Sequence, residues 1–136
     1  LWSDASRWPG GRLPAYWDSI LIPVGDHVIL DVETPMLGLL DVQGRLEFSR
    51  NVSTVLNTRA VKVWGELEMG TPQMPMPPNV TAVIQLHGDI DDHTVVMVEG
   101  LFLVNKVVAV VGSFVAAGSP LHGGATWTKL ASTATA

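Results

Sequence analysis

Val42-Gln43-Gly44-Arg45-Leu46-Glu47-Phe48 sets an apolar residue or glycine at every second position and a polar residue between. A period of two belongs to a β-strand with one dry face and one wet face. The unit returns as Val63-Trp64-Gly65-Glu66-Leu67-Glu68-Met69, less cleanly as Leu86-His87-Gly88-Asp89-Ile90, and again as Val110-Val111-Gly112-Ser113-Phe114. Gly44, Gly65, Gly88 and Gly112 therefore recur at nearly equal steps in the low twenties, and Gly25, a slightly shorter step before Gly44, is an earlier candidate with poorly matching flanks. A repeat of this length built of strands marks a solenoid, whose coils bury their apolar faces only by stacking. At about 3.3 Å per extended residue it suits three short strands and their turns. The expected fold is therefore all-β, a parallel β-helix with the glycines at one corner of successive coils. Leu46, Leu67, Ile90 and Phe114 would form one interior ladder, and Val42, Val63, Leu86 and Val110 a second. An antiparallel sandwich is the alternative, since it too has short strands between frequent turns.

Working outward, further strands are expected at residues 20–22, 27–30, 80–86, 95–98 and 101–115, with those above spanning 39–48 and 60–69. Residues 71–79, with four prolines, cannot lie in a central strand and form an exposed loop ending at Asn79. The 136 residues are read as one domain, with a cap over 1–19, coils over 20–130 and a small-residue tail or linker over 131–136. Trp2, Trp8 and Trp17 are suited to capping the open first coil.

Composition narrows the function. Apolar residues make up 47% of the chain and charged ones 15%, below the roughly 25% of an ordinary domain, so much of the surface must be buried or covered. The net charge is −5 and the eight Lys and Arg are scattered, which argues against a nucleic-acid partner. There is no cysteine, so disulfides and thiolate chemistry are excluded. The apolar stretch 95–111 is interrupted by Glu99, Gly100, Asn105 and Lys106, too soon for a membrane helix. Asn51-Val52-Ser53 and Asn79-Val80-Thr81 are acceptor triplets for N-linked glycans in a secreted eukaryotic chain. The chain opens without Met or a signal-type segment, as a processed or excised fragment would.

The opening 1–14, then 22–31 (Ile22-Pro23-Val24-Gly25-Asp26-His27-Val28-Ile29-Leu30-Asp31), 37–48 and the closing His122-Gly123-Gly124-Ala125-Thr126-Trp127-Thr128-Lys129-Leu130 together resemble the G-eight domain, the eight-glycine family found in fibrocystin-like and cell-surface hyaluronan-binding proteins. The likeness covers nearly the whole chain and implies the start of a right-handed parallel β-helix in a larger extracellular protein. It places the family glycines at Gly11, Gly25, Gly38, Gly44, Gly65, Gly70, Gly88 and Gly123. At Ala15-Tyr16-Trp17 the chain departs from the more polar, glycine-containing turn common in the family.

The function expected from these signs is a non-catalytic extracellular or cell-surface adhesion module binding glycans or neighbouring proteins. The alternative is the N-terminal part of a polysaccharide-degrading, hyaluronidase-like enzyme. Glu47, Glu66 and Glu68 are the acids from which a glycosidase pair could be drawn, but acids on a wet strand face are by default structural. Trp64 falls at an outward strand position and is the best candidate for a ligand surface. Asp89, Asp91, Asp92 and His93, with Glu99 nearby, could hold a hard cation such as Ca2+, though an acidic turn explains them equally well. No other cofactor is expected. His27, His87, His93 and His122 lack the spacing of a local metal motif, and His87 and His122, each before a glycine, read as turn residues.

Overall fold

The computed structural model describes residues 1–89, 96–98, 100–103 and 106–120. Two short 3-10 turns, Ala5–Arg7 and Pro9–Gly11, precede strands β1 (Ile20–Ile22), β2 (His27–Leu30), β3 (Leu37–Val42), β4 (Arg45–Phe48), β5 (Thr54–Val63) and β6 (Glu66–Met69). Then follow β7 (Ala82–Leu86), β8 (Val96–Val98), β9 (Leu101–Leu103), β10 (Val107–Val110) and β11 (Ser113–Ala116). The fold is all-β. One parallel sheet runs β1-β3-β5-β10, with β7 also on β5, and a second runs β2-β4-β6-β11. Among the described residues only β8 and β9 pair antiparallel. The parallel register of both main sheets excludes the antiparallel sandwich.

The seven-residue unit that opens the sequence is two strands, not one. β3 ends at Val42, the chain turns at Gly44, and β4 continues in the other sheet. Apolar alternation survives the corner because both sheets turn their dry faces to the same interior. Leu40, Val42, Leu46 and Phe48 are all fully buried. The same corner separates β5 from β6 at Gly65 and β10 from β11 at Gly112. Each corner backbone rests on the one before. The N–H of Arg45 donates to the Asp26 carbonyl at 2.8 Å, Glu66 to Gly44 at 2.9 Å, and Ser113 to Gly65 at 2.8 Å. A Cβ on Gly65 would run into the Gly44 carbonyl oxygen, and one on Gly112 into the Gly65 carbonyl oxygen. Glycine is required here by close approach of backbone.

Two sequence expectations are corrected by this column. The residue of the first coil level with Gly44 is Asp26, since His27 pairs with Arg45, so Gly25 lies one place out. Gly88 is not in the column at all. β7 pairs with Thr54–Thr58 of β5, whereas β10 pairs with Ala60–Val63 of the same strand. β7 and β10 are thus two pieces of one rung on β5, and β8 and β9, which come between them in the sequence, pair with each other. Gly88 follows β7 directly, and its spacing along the sequence matches without a place in the column. The ladders are revised accordingly. Val28, Leu46, Leu67 and Phe114 form one, and Ile22, Val42, Val63 and Val110 another. Leu86 sits opposite Thr58 instead, and Ile90 lies outside the described residues.

The core is densest under β3 to β6 and thins toward the last rungs. Leu46 and Leu67 have no exposure, but Phe114 and Val110, the ends of their ladders, are each 43% exposed. At the other end Trp2 and Trp8 are buried against the edge of the second sheet. Their rings lie 4.7 Å apart, the Trp8 indole N–H donates to the Trp2 carbonyl at 2.8 Å, and the Trp2 N–H donates to Ile29 at 2.7 Å. That last bond occupies the free edge of β2. Trp17 takes no part in this cap.

Candidate functional site

The outer faces of the two sheets differ in chemistry, the second carrying mainly charged side chains and the first an apolar patch. On the second sheet the outward rows are His27, Arg45, Glu66, Ser113 and Ile29, Glu47, Glu68, Val115. Arg45 gathers the acids, with its guanidinium 3.5 Å from Glu47, 3.8 Å from Glu66 and in a short contact with Glu68. His27 lies 2.9 Å from Glu47. Glu68 is only 2% exposed, so it is not the solvated outward acid that alternation alone suggests. Burial of a carboxylate is tolerable because the cation of the preceding coil meets it.

On the first sheet, Leu39, Ala60, Trp64, Val107 and Ala109 pack into an outward apolar patch, beside which Lys62 pairs with Asp41 at 3.3 Å. Trp64 is therefore outward, as its place in the repeat requires, and half-buried on its neighbours. Beside this patch the in-and-out alternation of β3 breaks, with Leu37 and Leu40 buried and Gly38 and Leu39 half-buried, while the β3–β5 register keeps one offset from Leu37↔Thr58 to Leu39↔Ala60. The turn before β1 packs here, with the Trp17 N–H donating to Met36 at 2.8 Å and Gly38 to Asp18 at 2.9 Å. Trp17 holds φ 67°, in the left-handed region that costs a side-chain-bearing residue about 1–2 kcal/mol. Its ring stands edge-on to Tyr16 at 5.6 Å, and the Arg59 guanidinium lies over it at 4.7 Å. Tyr16 is 63% and Trp17 44% exposed.

The sequence candidates do not include this aromatic group, because there Trp17 is expected in the cap. The available signal is the departure of Ala15-Tyr16-Trp17 from the family turn. A tryptophan where glycine would be unstrained is a backbone outlier of the kind that collects at functional positions. The turn itself is pinned by Asp18, which takes the Arg12 guanidinium at 2.9 Å and the Ala15 N–H at 2.8 Å. Those two partners hold the Asp18 carboxyl below the usual carboxylate range.

The remaining candidates separate. His87 does not bond its own turn but meets Asn57 Oδ1 at 3.0 Å, while the Asn57 side-chain amide donates to the Thr34 carbonyl at 2.9 Å. Thr34, Asn57 and His87 thus form a polar ladder across three levels. Among the described residues no group of three or more His, Asp or Glu is placed to hold a metal ion. Asp89 is exposed, and Asp91, Asp92 and His93 lie outside the described residues. Asn51 and Asn79 are both exposed, in the bend after β4 and in the turn before β7. A cleft of about 420 Å³ lies between the cap and the edges of β1 and β2, lined by Arg7, Trp8, Ile20, Ile22, Asp26 and Val28 among others.

These features define a parallel-stranded all-β module that stacks its apolar side chains inside and offers patterned outer faces. The chain belongs to the G8 domain family, whose model matches residues 7–131. It is 33% identical to fibrocystin of Mus musculus over 89 residues, which is 62% of this chain and 2% of that protein. It is also 33% identical to fibrocystin-L of Mus musculus over 92 residues, 66% of this chain and 2% of that protein. The chain thus spans about 2% of the length of either relative. No solved structure matches it.

Proposed function

We propose that the chain is a non-catalytic module of an extracellular or cell-surface protein, and that it binds glycans or neighbouring proteins through the aromatic surface that Tyr16 and Trp17 form beside the first sheet. The observation that carries this reading is Trp17, kept at φ 67° with its ring open to solvent between Tyr16 and Arg59. Exposed aromatic faces of fixed orientation suit a sugar ring or a protein anchor, because they offer large contact area at little entropic cost. Trp64 and Leu39 extend the surface along the adjoining strands. Membership of the G8 family, the fibrocystin relatives and the two glycan-acceptor triplets support the compartment.

In the same reading the two sheets are sides of one right-handed parallel β-helix, one domain over residues 1–136 with its cap ending near Ser19. The superposed corners at Gly44, Gly65 and Gly112 support it. Engagement of Glu47, Glu66 and Glu68 by Arg45 and His27 supports a structural role for those acids over a catalytic one. Asp89, Asp91, Asp92 and His93 remain the place where a calcium ion would be sought.

Glycan-array screening of the parent protein, alone and as Trp17→Gly, tests the binding proposal. Glycine adopts this left-handed backbone conformation without strain, so the variant keeps the turn and loses only the ring. Binding is expected to fall by tenfold or more while stability is unchanged or improved. Undiminished binding by the variant would remove the aromatic surface from the account.

A further inference from the structure

We infer that Asn51-Val52-Ser53 and Asn79-Val80-Thr81 form a single glycan-acceptor corner, which carries one N-linked oligosaccharide, on Asn51, and not two. The inference rests on the extracellular reading above and adds how the two triplets interact. They are well separated along the chain yet lie in neighbouring coils. The β5–β7 register pairs Thr54 with Ala82, which sets Ser53 beside Thr81. The Thr54 N–H donates to the Thr81 carbonyl at 2.8 Å, and the Thr81 N–H donates to Ser53 Oγ at 3.0 Å. The third residue of one triplet is hydrogen-bonded to the third residue of the other. Adjacent strands stand about 4.8 Å apart, so Ser53 and Thr81, each two residues after its acceptor asparagine, lie side by side one layer apart. Both are exposed. Asn79 is presented by a turn in which the Val80 N–H donates to Pro77 at 3.0 Å, and Asn51 by a bend in which its own N–H donates to Ser49 Oγ at 3.2 Å.

The chemistry sets the order. In N-glycosylation the Asn side-chain nitrogen attacks the anomeric carbon of a lipid-diphosphate-linked oligosaccharide. A C–N bond forms, the bond from that carbon to the diphosphate oxygen breaks, the lipid diphosphate leaves with the electron pair, and the amide gives one proton to a base. The hydroxyl of the third residue is part of the acceptor. In the folded coil Ser53 Oγ is held by Thr81, so Asn51 is modified before β7 docks on β5. Vectorial synthesis allows this, because Asn51 enters the secretory compartment ahead of the segment that will cover its hydroxyl. Asn79 has no such interval. When its triplet arrives, Ser53 and Thr54 are already there to fix the Thr81 backbone through its N–H and carbonyl, and the bulky glycan on Asn51 stands close by.

The test is glycopeptide and intact-mass analysis of the full-length parent made in eukaryotic cells through its own secretory route, as wild type, Asn51→Gln and Ser53→Ala. The wild type is expected to carry a glycan on Asn51 in most molecules and on both sites in a small minority. Either variant is expected to raise occupancy of Asn79 several-fold. A secreted wild type bearing both glycans on most molecules, or neither, overturns the inference while leaving the extracellular reading intact. Unchanged occupancy of Asn79 in both variants overturns it as well. A parent retained in the cytosol with neither site modified overturns both readings.

Discussion

Replacing Gly65 by alanine adds a methyl group at the point where one corner of the backbone rests on another. The Cβ would overlap the carbonyl oxygens of Gly44 and Gln43, neither of which is the tip of a flexible side chain. Relief requires β5 and β6 to move away from β3 and β4 at this corner. Overpacking of this kind costs typically about 1–3 kcal/mol. That movement also strains the bonds from Gly65 N–H to Val42 and from Glu66 N–H to Gly44, at 3.0 and 2.9 Å, each worth about 1 kcal/mol. The expected loss is about 3–5 kcal/mol, a large share of the roughly 5–15 kcal/mol that stabilises a domain of this kind. Urea unfolding followed by far-ultraviolet circular dichroism reads the loss as a lower midpoint at constant slope. Gly118→Ala is the control, because no atom of the described residues lies within 4 Å of its Cβ position, and a change within about 0.5 kcal/mol is expected there. If Gly65→Ala proves as stable as Gly118→Ala, the corners are not in contact and the stacking described here is wrong.

Two further outcomes follow from the outer face and the cap. Arg45→Met leaves Glu68 nearly buried without its cation and is expected to cost about 1–3 kcal/mol, whereas the double variant Arg45→Met/Glu68→Leu should regain most of it, read by the same urea titration. Asp31 fastens the N-terminal segment by accepting from both the N–H and the hydroxyl of Ser3. Burial acts to raise its carboxyl, but the Ser3 bonds outweigh it and hold the group below its ordinary value. Its stabilising contribution is therefore complete above the unfolded value near pH 3.9 and lost as pH falls through the lower folded value. Emission from the buried pair Trp2 and Trp8 should shift as pH drops from 5 to 2 (about the range of that loss), and Asp31→Asn should have lost the contribution already at pH 7.

Several features that position the site were legible from residues alone. Alternation around Gly44 and Gly65 located strands with a dry side, and the step between those two glycines matched two equivalent corners, whereas the near-equal step to Gly88 did not. Strands at Ile20–Ile22 and His27–Leu30 were readable because their β-branched residues lie between turn signals. The first half of β5 was not, since Thr54, Asn57 and Thr58 look like loop residues until their neighbours bury them. Trp64 was placed on the outside by parity alone. Trp17 could not be, because its position is decided by a turn that holds φ 67°, a conformation that tryptophan does not advertise.

What the amino-acid order determined was local: which residues alternate, where glycine must stand, and that the chain resembles the G-eight family. What only the tertiary structure decided was partnership. Gly88 fits the spacing yet leaves the column, β7 and β10 share one rung, Asn57 bridges Thr34 to His87, and Ser53 meets Thr81. The reason is physical. Spacing along a chain measures contour length, and the residues joining β7 to β10 add contour although both strands pair with β5. Register between coils is chosen by backbone hydrogen bonds and buried side chains acting together, and no single coil contains both partners.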